Sequence, residues 1–95
     1  MNKYELTVIL DGKISSAKKK KVQESLGKIV ETFKGSVTKI EDWGVKELNY
    51  KIKKSSSGSY LFLSLELESS AAKGLLAKLR AESEILRYLL IKEEK

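Results

Sequence analysis

The sequence predicts an α+β fold, a four-stranded antiparallel sheet carrying two helices on one face, and three observations predict it. Tyr60 to Leu67 alternates strictly: Leu61, Leu63, Leu65 and Leu67 point one way, Tyr60, Phe62, Ser64 and Glu66 the other, because successive strand side chains take opposite faces. Two further stretches carry apolar residues at the helical period, Val22, Leu26, Ile29, Val30 and Phe33 in one and Ala72, Leu75, Leu76 and Leu79 in the other. The order strand, helix, strand, strand, helix, strand, with connections of ordinary length, is the split βαβ or ferredoxin-like βαββαβ arrangement. Each buried leucine is worth about 1.5 to 3 kcal/mol, so the leucine face of the third strand is what the other elements must cover.

The first strand is Tyr4 to Leu10, with Tyr4, Leu6, Val8 and Leu10 on one face and Glu5, Thr7 and Ile9 on the other. Enough apolar residues lie on both faces to suit an inner strand. Asp11 and Gly12 make a turn, and Ser15 or Ser16 is the expected N-cap of the first helix. Gly35 is expected as the left-handed residue after its last turn. The run Lys18 to Lys21 at the start of that helix opposes the macrodipole by a few tenths of a kcal/mol per cation, roughly, and reads as a solvated face.

Val37 to Asp42 and Val45 to Ile52 are extended, with Leu48, Tyr50 and Ile52 in phase but Val37 and Ile40 out of phase. That slip predicts a bulge or bend near Trp43 and Gly44. Ser55, Ser56, Ser57 and Gly58 are expected as the hairpin loop into the central strand. Ser69 or Ser70 is the expected cap of the second helix, and Ala81 to Glu84 turns the chain. Ile85 to Lys92 closes the sheet, with Leu86, Tyr88 and Leu90 on one face and Arg87, Leu89 and Ile91 on the other. Right-handed crossovers place the first and third strands in the middle. One face of the sheet, with Ile9, Tyr60, Phe62, Leu89 and Ile91, is left open as the expected surface for a protein partner.

At 95 residues the chain reads as a single domain, residues 1–95. Lys+Arg 19 against Asp+Glu 13 gives a formal charge of +6, an excess that favours nucleic acid or another polyanion. There is no cysteine and no histidine, so disulfides, thiolate metal sites and histidine proton shuttles are excluded, and a reducing setting fits. No signal-peptide pattern and no apolar run near 18 residues occurs, which reads as cytoplasmic with no membrane partner. No cofactor, no metal site and no catalytic residue is expected. Asp11, Gly12 and Lys13 follow a strand, but a phosphate loop needs a second glycine and a Lys-Ser or Lys-Thr pair; they read as a plain turn. Glu41 and Asp42 are adjacent on a strand, so they point to opposite faces and do not suit acid/base work.

Tyr4-Glu5-Leu6, the stretch from Glu41-Asp42-Trp43-Gly44 through Leu48, Tyr50 and Ile52, Gly58 ahead of an aromatic-leucine strand, and Leu86-Arg87-Tyr88 together resemble the bacterial small-subunit ribosomal protein six family across nearly the whole chain. The resemblance implies a non-enzymatic structural component of the small ribosomal subunit that pairs with ribosomal protein eighteen and touches small-subunit ribosomal RNA, with no small-molecule substrate. It implies RNA-binding roles for Lys3, Lys46, Lys54, Arg87 and Lys92. Where family members often carry a proline after the tyrosine, a second basic residue after the glycine and an arginine pair at the start, this chain has Lys51, Glu47, and Asn2 with Lys3.

Tyr60 and Phe62 sit two apart on the third strand, as do the base-stacking aromatics of RNA-recognition-motif proteins, but the basic-glycine-aromatic lead-in is missing. A protein partner is favoured over base stacking there because Ile9, Leu89 and Ile91 surround the rings with aliphatic surface. A second function class, a small-molecule-binding regulatory domain of the same strand order, would need a polar pocket that no sequence feature supplies.

Overall fold

The computed structural model describes residues 2–52 and 55–93. Its elements follow the predicted order: β1 (Asn2–Asp11), α1 (Ser16–Thr32), β2 (Ser36–Ile52), β3 (Ser55–Leu67), a 3-10 turn (Ser69–Ala71), α2 (Ala72–Ala81) and β4 (Ile85–Lys92). The strands form one antiparallel sheet in the order β2-β3-β1-β4. The alternating leucines explain why β3 and β1 take the centre. Leu6, Val8, Leu10, Leu61, Leu63, Leu65 and Leu67 are all essentially inaccessible to water, and only a strand flanked on both sides can bury a whole face. Val22, Leu26 and Val30 of α1, with Leu75 and Leu79 of α2, close over that face, and Ile14, Ile29, Phe33 and Leu76 fill its rim. This is the ferredoxin-like fold, with both helices on one side of the sheet.

Helix α1 begins where the hydroxyl of Ser15 accepts from the Lys18 backbone N–H at 3.2 Å, satisfying one of the orphan donors of the first turn. Its end differs from expectation. The left-handed residue is Lys34, at φ 62°, and not Gly35. Lys34 N–H donates to the Glu31 carbonyl and Gly35 N–H to the Val30 carbonyl, at 2.8 and 2.9 Å, the paired closure of a Schellman motif. Glycine is needed one place later for a different reason. A Cβ on residue 35 would stand 2.5 Å from the Glu66 carbonyl oxygen and 2.9 Å from Leu67 Cδ1, so the chain crosses β3 too closely for any side chain.

Three other expectations are corrected. Neither Ser69 nor Ser70 caps α2 through its side chain; the 3-10 turn and α2 start after Glu68 and Ala71 with no side-chain cap. Ser55 to Gly58 belong to β3 rather than to a loop. On β4, Ile85 takes the core position opposite Leu10, and the register shift between Ile9 and Leu10 leaves Leu86 as the extra residue. The side chains of Leu48, Tyr50 and Ile52 lie outside the described residues.

Candidate protein and nucleic-acid interface

The register places the side chains of the open face in rows that run β2, β3, β1, β4. One row is Gly44, Tyr60, Ile9 and Arg87; the next is Glu41, Phe62, Thr7 and Leu89; the third is Lys39, Ser64, Glu5 and Ile91. The structure thus brings together the five residues expected as the partner face. Ile9, Tyr60 and Phe62 are half-buried by their neighbours, whereas Leu89 and Ile91 are 57% and 49% exposed. An apolar surface of this breadth facing water is uncommon on a monomer.

Trp43 is absent from the sequence-derived set and belongs to this surface. It is the extra residue of the predicted bulge, between Asp42 paired with Leu61 and Gly44 paired with Tyr60. The bulge turns its ring over the open face, flat against Phe62, with centroids 5.1 Å apart and planes 5° from parallel. Such a pair contributes about 0.5 to 1.5 kcal/mol beyond its buried area. The indole Nε1 donates to Glu41 Oε2 at 3.1 Å. Lys46, three residues on, holds its ammonium 5.8 Å from the Trp43 ring and 5.7 Å from the Tyr60 ring, within cation–π range of both. The signal for Trp43 in the sequence was the phase slip itself, which puts an aromatic at a strand position free of the two-face alternation.

The acidic pair has a structural job. Asp42 Oδ1 accepts from the Gly44 backbone N–H at 2.8 Å, and Oδ2 meets the Lys19 ammonium at 3.0 Å. The Gly44 hydrogen bond first, and the Lys19 contact second, hold this carboxyl below the usual range. Gly44 has φ 82°, a left-handed conformation that favours glycine, so the turn has its backbone chemistry and its charge fixed together. Glu41, on the opposite face as predicted, is also lowered, first by the Trp43 indole and then by Lys39, whose ammonium stands 3.0 Å from Oε1. Both carboxylates are ionised and engaged, which is the reverse of what a proton donor requires.

The expected RNA-binding cations do not form one cluster. Lys46 and Arg87 lie on the open face at the same end of the sheet, opposite Gly58 and Ile9 respectively. Lys3 shares that face but sits at the far end, opposite Glu66. Lys92 is opposite Tyr4, whose side chain is in the core, so it belongs to the helix side and not with Arg87. Lys54 lies outside the described residues. In the α1 run, Lys18, Lys20 and Lys21 are exposed, as expected of a solvated face, and Lys19 is the one engaged with Asp42.

Among the described residues no group of three histidine, cysteine, aspartate or glutamate side chains is placed to hold a metal ion, and no helix is long and apolar enough to cross a membrane. Among the described residues the surface depressions are shallow and open, as in the one lined by Ile14, Ser16, Lys19, Lys20, Gln23 and Asp42.

Residues 3–92 match the sequence profile of the family described as Ribosomal protein S6. Small ribosomal subunit protein bS6 of Geobacter metallireducens is 33% identical over 95 residues, spanning 100% of this chain and 80% of that one. The bS6 protein of Carboxydothermus hydrogenoformans is 30% identical, spanning 100% and 99%. A crystal structure of 30S ribosomal protein S6 from Thermotoga maritima superposes with a TM-score of 0.89 at 25% identity, covering 97% of this chain and 87% of that one. These homologues are structural proteins of the ribosome and not enzymes. With the strand order, the bulged acidic-aromatic-glycine turn and the profile all in agreement, the chain belongs to the ribosomal protein S6 family.

Proposed function

We propose that this protein binds small-subunit ribosomal RNA together with ribosomal protein eighteen, as a structural component of the small subunit. The observation that carries the reading is the open sheet face, where Leu89 and Ile91 are exposed and Ile9 is half-buried, in a member of the ribosomal protein S6 family. Ribosomal protein eighteen would take the aliphatic side of that face, and Arg87 and Lys46 at one end, with Lys3 at the other, would meet phosphate. The net charge of +6 supplies attraction to RNA but no register; apolar docking supplies the register.

Two substitutions test the two halves of this reading. Leu89 is more than half exposed, so Leu89→Lys should leave the thermal midpoint nearly unchanged. It should weaken heterodimer formation with ribosomal protein eighteen at least tenfold, roughly, by burying an unpaired charge where an apolar contact belongs. An unchanged dissociation constant would remove β4 from the interface.

For RNA, binding of the heterodimer to a platform fragment of the ribosomal RNA is followed across a salt series. A guanidinium that forks to phosphate is worth about 1 to 3 kcal/mol, which sets the expected loss for Arg87→Gln. Replacing Lys20 and Lys21 together by Gln should lose less despite removing twice the charge, because both stand on the helix side. A larger loss from the lysine pair would assign the RNA surface to α1.

A further inference from the structure

The open face is chemically two surfaces. Around Ile9, Leu89 and Ile91 it is aliphatic, whereas at the β2 edge Trp43, Phe62, Tyr60 and Lys46 make a layered aromatic and cationic patch. We propose that the outward face of Trp43 is a stacking platform for one unpaired nucleobase of single-stranded RNA, with the Lys46 ammonium taking the adjoining phosphate. This rests on the reading of the open face as the interaction surface and divides that face between two occupants.

The geometry favours a flat ring. Phe62 covers one side of the indole, and Trp43 is still 47% exposed, so π surface is what remains for a partner. Its polar handle is already used, because Nε1 donates to Glu41. A partner therefore gains stacking and no hydrogen bond from this side chain, which suits a base of any identity. Phe62 itself is covered by Trp43 and Tyr60 lies beneath Lys46. The stacking role therefore falls to a residue outside the strand whose aromatics first suggest it.

Local charge chooses between a base and a stacked guanidinium. Among the described residues the ionisable groups on this side of the β2 edge are Lys39, Glu41 and Lys46, and Glu41 is already engaged by Lys39 and the indole. Asp42 faces the helices and is held by Lys19. The remaining bias is positive, which repels an arginine side chain and attracts a phosphate. The platform is also set before anything binds. Asp42 ties Gly44 backbone and α1 to the two sides of the bulge, so little ordering is left to be done on contact.

Trp43 is the single tryptophan of the chain, so fluorescence excited at the red edge of indole absorption, where the tyrosines do not absorb, reports on this position alone. The full chain is titrated at low salt with a single-stranded RNA octamer, with an octamer of the same length lacking bases, and separately with ribosomal protein eighteen. Saturable quenching by the base-bearing strand, and none by the abasic strand, is expected. Read by the anisotropy of a dye-labelled octamer, Trp43→Leu should weaken octamer binding about tenfold, within what one stacked base contributes, while Trp43→Phe stays within about threefold; circular dichroism confirms that both variants are folded. Equal binding of the abasic strand, or of Trp43→Leu, would reduce the contact to diffuse charge and overturn the proposal. So would protection of Trp43 by ribosomal protein eighteen with no effect of RNA, which would give the aromatic patch to the protein partner. Because Leu89→Lys reports on the aliphatic half in a separate assay, failure of either half is distinguishable from failure of the other.

Discussion

Leu65→Ala should lower the unfolding free energy by about 2 to 5 kcal/mol, a large share of what a domain of this size has. Leu65 is 1% exposed and lies opposite Tyr4 on β1 and Val37 on β2. Tyr4 is in the core and Val37 packs against it, so truncation leaves a void that neighbours on both sides are too constrained to fill. Ser64 supplies the contrast from the adjacent position. Its side chain is on the open face, and the hydrogen bond made there, from Thr38 Oγ1 at 3.1 Å, goes to the Ser64 carbonyl, which Ser64→Ala retains. Its cost should stay near 0.5 kcal/mol, roughly. Denaturant midpoints that fell together in the two variants would mean that the faces of β3 are assigned the wrong way round.

The second large effect is a pair of identical substitutions with opposite signs. At residue 35 a methyl group would meet the Glu66 carbonyl oxygen, Leu67 and Val30 within about 3 Å; a backbone oxygen does not move aside as a flexible side chain would. Gly35→Ala should therefore destabilise by roughly 1 to 3 kcal/mol. At residue 27, inside α1, an added Cβ has nothing within 4 Å. Gly27→Ala should stabilise by roughly 0.5 to 1 kcal/mol through helix propensity alone. Equilibrium unfolding of the two variants beside the parent settles both signs, and a neutral Gly35→Ala would show that α1 and β3 separate there without cost.

How much of this was legible depended on whether one period governed the stretch. The leucine face of β3, the stripes of both helices and the five open-face residues follow from periods of 2.0 and 3.6, and the structure has them all. The bulge at Trp43 and Gly44 was legible because a slip in phase is itself a signal. Its consequence was not: that Trp43 lands on Phe62, nineteen residues away, depends on the β2–β3 register, which the extra residue resets. Chain ends of helices read poorly for a similar reason. Gly35 looked like the left-handed residue, but the constraint on it comes from β3, a contact that no local pattern contains. The basic residues were least legible. Charge has no period, and Lys92 was grouped with Arg87 although the register sends it to the other side of the sheet.

The same bulge bears on the outer edge of the sheet. Strand β2 runs 17 residues along the outside of the sheet and pairs only with β3, so its outer row of N–H and C=O groups is a template on which another copy's strand could grow. Register shifts at Val37 to Lys39, at Asp42 to Gly44 and at Glu47 to Ile52 break that row into short lengths, and Lys39, Glu41, Asp42, Lys46 and Glu47 stud it with charge. A straight, uncharged β2 would zip copies together edge to edge. The turn that presents Trp43 thus also shortens the edge on which a further strand could add.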